Sequence, residues 1–304
     1  MTCNEIFNLL KARGCHDLTH WLDERSCSQH PVSNGGYGDV FRARLTDGSD
    51  VAIKTIRIYD NHGSSEGRYA KHAAREIYAW SKCNHQNVAQ LLGIMVFRGS
   101  LAMVSWWAEN SNVMSYLKNR PSVSRCQLSL AISTGLAYLH QQNIIHGDLK
   151  GANVLVAHDG TPMLADFGNA AIADATLQFT QTRTGPSFSP RWTAPEILNG
   201  DSGHTKVGDV YSLGMTILEV ITGQAPYSGV REQALFMHIV VRAGMPDRPL
   251  DVIPEASVFG NVLWAILMSC WSRNPNQRPV AAEVEHMLGG ISDHRLIPVL
   301  GNSG

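Results

Sequence analysis

Along residues 40–45 the chain alternates, Val40-Phe41-Arg42-Ala43-Arg44-Leu45, and along 51–54 it runs apolar into a lysine, Val51-Ala52-Ile53-Lys54. Both read as strands, joined by the turn-forming cluster Thr46-Asp47-Gly48-Ser49-Asp50. Ahead of them, Ile6, Phe7, Leu9 and Leu10 form a short amphipathic patch, followed by Leu18, Trp21 and Leu22 among polar residues. That pattern predicts a helix packed on the outside of the domain that begins near Pro31. After the two strands comes a polar, glycine-containing stretch, Asp60 to Gly67, then a helical pattern from about Tyr69 to Lys82. Two more strands follow, Val88 to Phe97 and Leu101 to Trp107, broken at Arg98-Gly99-Ser100. Beyond Asn110 the period changes to that of helices: Val113 to Lys118, Cys126 to His140, Asp209 to Thr222, Arg231 to Arg242, Phe259 to Trp271 and Val280 to Leu288. Strand-like pieces recur only near Ile144-Ile145, Asn153 to Val156 and Pro162 to Leu164. The pattern predicts an α+β chain in two lobes, a small β-rich one with one main helix and a larger α-rich one. A hinge falls near Trp106 to Asn110, with no internal repeat and no low-complexity linker.

Composition narrows the class without naming the chemistry. The 304 residues, 44% hydrophobic and 17% charged, suffice for a substantial core and exclude a disordered chain. With 25 basic and 26 acidic residues the net charge is −1, so bulk electrostatics draw it neither to nucleic acid nor to an acidic membrane. The six cysteines form no C-x-x-C pair and the 13 histidines no H-E-x-x-H pattern, which argues against a structural metal. Met1 to Leu10 lacks the basic region and long apolar run of a signal peptide, and no apolar stretch approaches membrane-spanning length. The expectation is a cytoplasmic protein with free thiols.

The chemistry lies in one short loop, His146-Gly147-Asp148-Leu149-Lys150-Gly151-Ala152-Asn153, and in Asp166-Phe167-Gly168, whose carboxylate follows the first by 18 residues. Phosphoryl transfer uses such groups: a base that orients a hydroxyl, and Asn plus Asp that hold Mg²⁺ on the nucleotide phosphates. Asp-Phe-Gly alone is an ordinary turn sequence; the two motifs at this spacing carry the argument together. In order and spacing they resemble the catalytic loop and metal-binding motif of the protein kinase family, with Gly147 where most kinases carry arginine.

That resemblance covers roughly residues 30 to 290 and implies the bilobal protein kinase fold. Residues 1–29 would be an extension, 30–107 the small lobe, 111–290 the large lobe and 291–304 a tail. Ser33-Asn34-Gly35-Gly36-Tyr37-Gly38-Asp39-Val40 is similar to the family's glycine-rich loop, with Ser33 in the first glycine position. Val32, Gly35, Gly36 and Gly38 would then cover the nucleotide. Lys54 alone reads as an edge-strand charge and Glu76 as a surface helix charge. The resemblance implies instead that Lys54 holds the α- and β-phosphates and that Glu76 fixes it. The adenine would lie between Val40 and Ala52 above and Leu155 below. Ser105 would be the gatekeeper, with the backbone of Trp106 and Ala108 meeting the adenine edge. A residue this small at the gate predicts access to a pocket behind the base.

By the same resemblance Asp148 is the base, Lys150 neutralises the transferring phosphoryl group, and Asn153 with Asp166 holds Mg²⁺. Lys150, two positions after the base, and Ser189, five before Ala194, match serine/threonine-specific members. Arg191-Trp192-Thr193-Ala194-Pro195-Glu196 is similar to the ending shared by tyrosine kinases and tyrosine kinase-like serine/threonine kinases. The implied group is the latter, with dual specificity left open. Asp209 would bond the catalytic-loop backbone, and Arg278, in the motif with Trp271, would pair with Glu196. The implied function is an ATP- and Mg²⁺-dependent protein kinase acting on protein substrates. The alternative is a pseudokinase scaffold, disfavoured because Lys54, Glu76, Asp148, Asn153 and Asp166 are all present. A small-molecule or lipid kinase is disfavoured by the Ala-Pro-Glu and Trp271–Arg278 motifs.

Overall fold

The computed structural model describes residues 3–34, 38–56, 77, 78, 80–166, 171, 172 and 189–296. The sequence-predicted Gly35, Gly36 and Glu76, with Phe167 and Gly168, lie outside the described residues. An α-helix, Cys3–Ala12 (α1), comes first. Strands Leu22–Asp23 (β1), Ser33–Asn34 (β2), Asp39–Leu45 (β3) and Asp50–Thr55 (β4) follow. Next come a helix whose described residues are 77, 78, 80 and 81 (α2), then Leu91–Phe97 (β5) and Ser100–Trp106 (β6). The strands form one antiparallel sheet in the order β1-β3-β4-β6-β5, with β2 also on β3. Phe41, Ala43, Val51, Ile53, Met95 and Val104 bury one face of it, as the alternation in β3 requires.

The second lobe is helical: Val113–Asn119 (α3), Arg125–Gln141 (α4), Pro195–Asn199 (α5), Lys206–Thr222 (α6), Val258–Cys270 (α7), Ala281–Leu288 (α8) and Asp293–Leu296 (α9). Asn112, Ser124, Thr205 and Ser257 each cap a helix by accepting a backbone N–H. The centre of this lobe is α6, buried from Gly208 to Ile221 and mostly apolar, as a helix without a solvated face is, with Asp209 and Glu219 as buried charges. Short strands Ile144–Ile145 (β7), Val154–Val156 (β8), Pro162–Leu164 (β9) and Ala171–Ile172 (β10) carry the loops between the lobes. Among the described residues no helix is long and apolar enough to cross a membrane.

The short elements β1, β2, β10, α5 and α9 were not in the sequence pattern, and residues 231–242 and the start of β5 depart from it. Residues 231–242 form a 3₁₀ turn, Glu232–Ala234, and a π-helical turn, Met237–Val241, rather than one α-helix. Arg273 donates to the carbonyls of Ile239 and Val240, capping oxygens that the end of a helix leaves without a partner of its own. Strand β5 starts at Leu91, not Val88, because Val88 bridges Leu164 and the Ala89 N–H donates to the Leu164 carbonyl at 2.8 Å. Those residues tie the small lobe to β9 of the large one.

Candidate active site

Lys54 lies near the end of β4, opposite Val40 on β3 and Met103 on β6. The two flanking strands project its four-carbon stem toward the second lobe. Its ammonium donates to Asp166 Oδ1 at 2.5 Å, across 112 residues of sequence. Asp166 adopts φ +62°, a left-handed conformation that an aspartate tolerates better than most side chains.

The loop after β7 is shaped from beneath. Asp209, 2% exposed in the first turn of α6, accepts the backbone N–H groups of His146 (2.8 Å) and Gly147 (2.9 Å). His140 Nε2 lies 3.0 Å from the same carboxylate. Burial pushes the Asp209 carboxyl up, but His140's hydrogen bond and charge, His146 and the Gly147 N–H together outweigh it. It therefore sits below the ordinary carboxylate range. At Gly147 the backbone has φ +81°, a conformation glycine adopts without Cβ strain.

His146 fastens the loop to the second carboxylate. Its Nδ1 faces the Asp148 N–H, which can only donate, and its Nε2 faces the Ala165 carbonyl, which can only accept. With these partners Nδ1 is the accepting nitrogen and Nε2 the one that carries the hydrogen. It links the backbone on either side of the site, the N–H of Asp148 and the carbonyl one residue before Asp166.

Above this floor the polar groups converge. Lys150 Nζ donates to Asp148 Oδ2 at 2.8 Å and to Ser189 Oγ at 2.7 Å. Asn153 Nδ2 donates to the Asp148 carbonyl (2.7 Å) and to its Oδ2 (3.0 Å). Those bonds use the amide's donor end; its oxygen is the end that could meet a cation. With a carboxylate in Asp166, the set offers hard oxygen ligands of the kind Mg²⁺ takes. Asp148, Lys150, Asn153, Lys54 and Asp166 are thus brought into one site.

The adenine-side residues also assemble. Val40 and Ala52 sit on the adjacent strands β3 and β4, and Ala52 pairs with Ser105 on β6. Leu155 lies below on β8, and a cavity of about 230 Å³ beside Ser105 is lined by Val88, Gln90, Trp106, Leu155 and Met163. The Trp106 indole N–H donates to Gln90 Oε1 at 3.3 Å, so that ring braces the hinge from outside. The Ala108 carbonyl accepts the Ser111 N–H. Gly38 is required by packing: a Cβ there would lie 1.7 Å from the Thr55 carbonyl oxygen.

Three supporting residues escaped the sequence reading. His140 ends α4 and holds Asp209. Glu219 interrupts the apolar run Ile217-Leu218-Glu219-Val220-Ile221, and a carboxylate in such a run was the available signal. Its Oε2 accepts the Gly151 N–H at 2.8 Å and the Trp192 indole N–H at 2.9 Å, so the third is Trp192. Burial raises the Glu219 carboxyl's pKa, and those two bonds and the charge of Lys150 offset this only in part. Farther out, Arg278 makes two bonds to Glu196, at 2.6 and 2.8 Å, as the motif order implied.

The model of the protein kinase domain matches residues 28–288. The chain belongs to the protein kinase family. The serine/threonine-protein kinase STY17 of Arabidopsis thaliana is 30% identical over 264 residues, 86% of this chain and 43% of that protein. Mitogen-activated protein kinase kinase kinase 1 of the same plant is 31% identical, over 90% of this chain and 43% of its own length. Mitogen-activated protein kinase kinase kinase A of Dictyostelium discoideum is 29% identical over 83% of this chain. The kinase chain thus spans less than half the length of these relatives.

Proposed function

We propose that this kinase transfers the γ-phosphoryl group of ATP to serine and threonine hydroxyls of proteins, as a tyrosine kinase-like serine/threonine kinase of the cytoplasm. The observation that carries the hydroxyl preference is Lys150, held at once by the base Asp148 and by Ser189. Asp148 accepts the incoming hydroxyl's proton in hydrogen-bond reach, Lys150 offsets charge on the moving group, and Lys54 aligns the phosphates. Asn153 and Asp166 would hold Mg²⁺, which supplies charge neutralisation on the nucleotide when bound. The names of the relatives, a serine/threonine-protein kinase and a mitogen-activated protein kinase kinase kinase, support the same reading. A scaffold without turnover is the weaker alternative, since the charged set at the site is intact. A peptide library with radiolabelled ATP tests the proposal: label on Ser/Thr peptides is expected. Label confined to tyrosine, or none, would reject it.

A further inference from the structure

Residues ahead of β1 do more than cover the small lobe. Helix α1 lays Ile6, Phe7 and Leu10 into the cluster that holds Ile77 and Trp80 of α2, Ile94 of β5 and Met103 of β6. Leu10 is 1% exposed, and Ile6 and Ile77 are fully buried. Past the end of α1, the Arg13 guanidinium lies over the Tyr78 ring, 5.3 Å from its centroid. Lys11 pairs with Asp17 at 2.8 Å, fastening α1 to the extended segment that follows. That segment runs along β5: the Ile94 N–H donates to the His16 carbonyl (2.8 Å), the Leu18 N–H to the Ile94 carbonyl (2.9 Å) and the Val96 N–H to Thr19 Oγ1 (3.1 Å). A Cβ on Gly93 would lie 2.4 Å from the His16 carbonyl oxygen, so β5 is shaped to receive it.

We infer that residues 3–19 act as a positioning brace for the described residues of α2, 77, 78, 80 and 81, and through that helix set the rate at the site that Lys54 enters. The inference rests on the phosphoryl-transfer reading for its effect on rate. Its physical basis is placement: Ile77 and Tyr78, the two residues after Glu76, share the α1 cluster or touch Arg13. Close-packed side chains transmit displacement, and a misplacement of about 1 Å at a charged site costs up to about 10²-fold in rate.

Leu10→Ala in the full chain is the principal test, with Leu263→Ala on α7, equally buried in the other lobe, as a control of matched chemistry. Assayed well below both melting temperatures, Leu10→Ala is expected to lower kcat/KM on the order of tenfold. It should also speed amide exchange at residues 77–82 while leaving 126–140 unchanged. Leu263→Ala should melt earlier yet stay within about a factor of two in kcat/KM, and Leu10→Met, which conserves volume, should restore both readouts. Arg13→Ala, which opens no cavity, should shift exchange at 77–82 in the same direction if Leu10→Ala does not fold. Leu10→Ala behaving like Leu263→Ala in rate and local exchange would overturn the brace. An inactive wild-type chain would count against the assigned reaction, and the exchange comparison would still decide the brace.

Discussion

Asp166 reaches Lys54 from a left-handed backbone, so its carboxylate is aimed by the main chain as well as by its rotamer. Replacing it by asparagine keeps the shape and removes the charge. Asp166→Asn, and likewise Lys54→Met, should lower the rate on the order of 10²-fold or more. The folded state should survive, checked by initial rates at saturating ATP beside a thermal melt. Near-normal turnover in a folded Asp166→Asn protein would sink the assignment. Glu219 makes a prediction about pH. Its folded pKa lies above the ordinary 4.5 chiefly through burial, so the folded state holds the proton more tightly than the unfolded one. The stability this contributes is present below about pH 4.5 and is lost as pH rises through the raised value. Glutamine cannot ionise and can accept both N–H bonds on one oxygen. The melting temperature of Glu219→Gln relative to wild type should therefore climb between pH 4 and pH 7; a difference that stays flat would refute the sign. At this scale the groups that the fold brings together, Lys54, Asp148, Lys150, Asn153 and Asp166, were readable, because each stands in a fixed-spacing motif. Those that hold them were not: His140 and Trp192 look like any helix-end histidine or packing aromatic until the fold brings them to Asp209 and Glu219.

Among elements, the catalytic loop hangs from α6 by two backbone N–H groups on Asp209, and Gly147 brings no side chain of its own to that loop. In kinases with arginine at this place, a phosphate on the activation segment can be received there. Arg191, another candidate to receive it, is already committed: its guanidinium donates to the carbonyls of Pro226, Tyr227 and Val230. Arg183, Thr180 and Thr184 lie outside the described residues. The expected outcome is equal rates for dephosphorylated and autophosphorylated enzyme. A rise of tenfold, about 1.4 kcal/mol in barrier, that disappears in a Thr180→Ala/Thr184→Ala variant would contradict it. Strands β3, β4 and β6 and helices α3, α4, α6, α7 and α8 could be read from periodicity, since each has one buried face or none exposed. Residues 231–242 could not, because periodicity does not tell an α-helical turn from a π-helical one, and here the Arg242 N–H reaches back five residues to the Met237 carbonyl.

Across the whole molecule, one buried pair ties the segment after the activation region to the far end of the large lobe. The Arg278 side chain is fully buried, grips Glu196 with two nitrogens, donates to the Val207 carbonyl and lies over the Tyr211 ring. Removing one partner strands a buried charge, a loss of about 3–5 kcal/mol. At about 2–4 °C per kcal/mol for a chain of this size, Arg278→Met should melt roughly 6–20 °C lower by calorimetry. A shift under 2 °C would mean the pair is dispensable. The bilobal plan was legible because strand texture gives way to helix texture once, near Asn110. What texture could not supply was the path of the first residues, since the bonds they make are to backbone.

That path reaches both rims of the sheet: residues 16–19 lie on β5, and Leu22 and Asp23 pair with Leu45 and Arg44 of β3. An open strand edge invites pairing with another chain. The few residues from His16 to Asp23 therefore also serve as insulation, capping two sticky borders with one pass of the chain. Unseating them would bare β5 and the Arg44–Leu45 end of β3 together, while Ser28, Val32 and β2 would still cover the rest of that border.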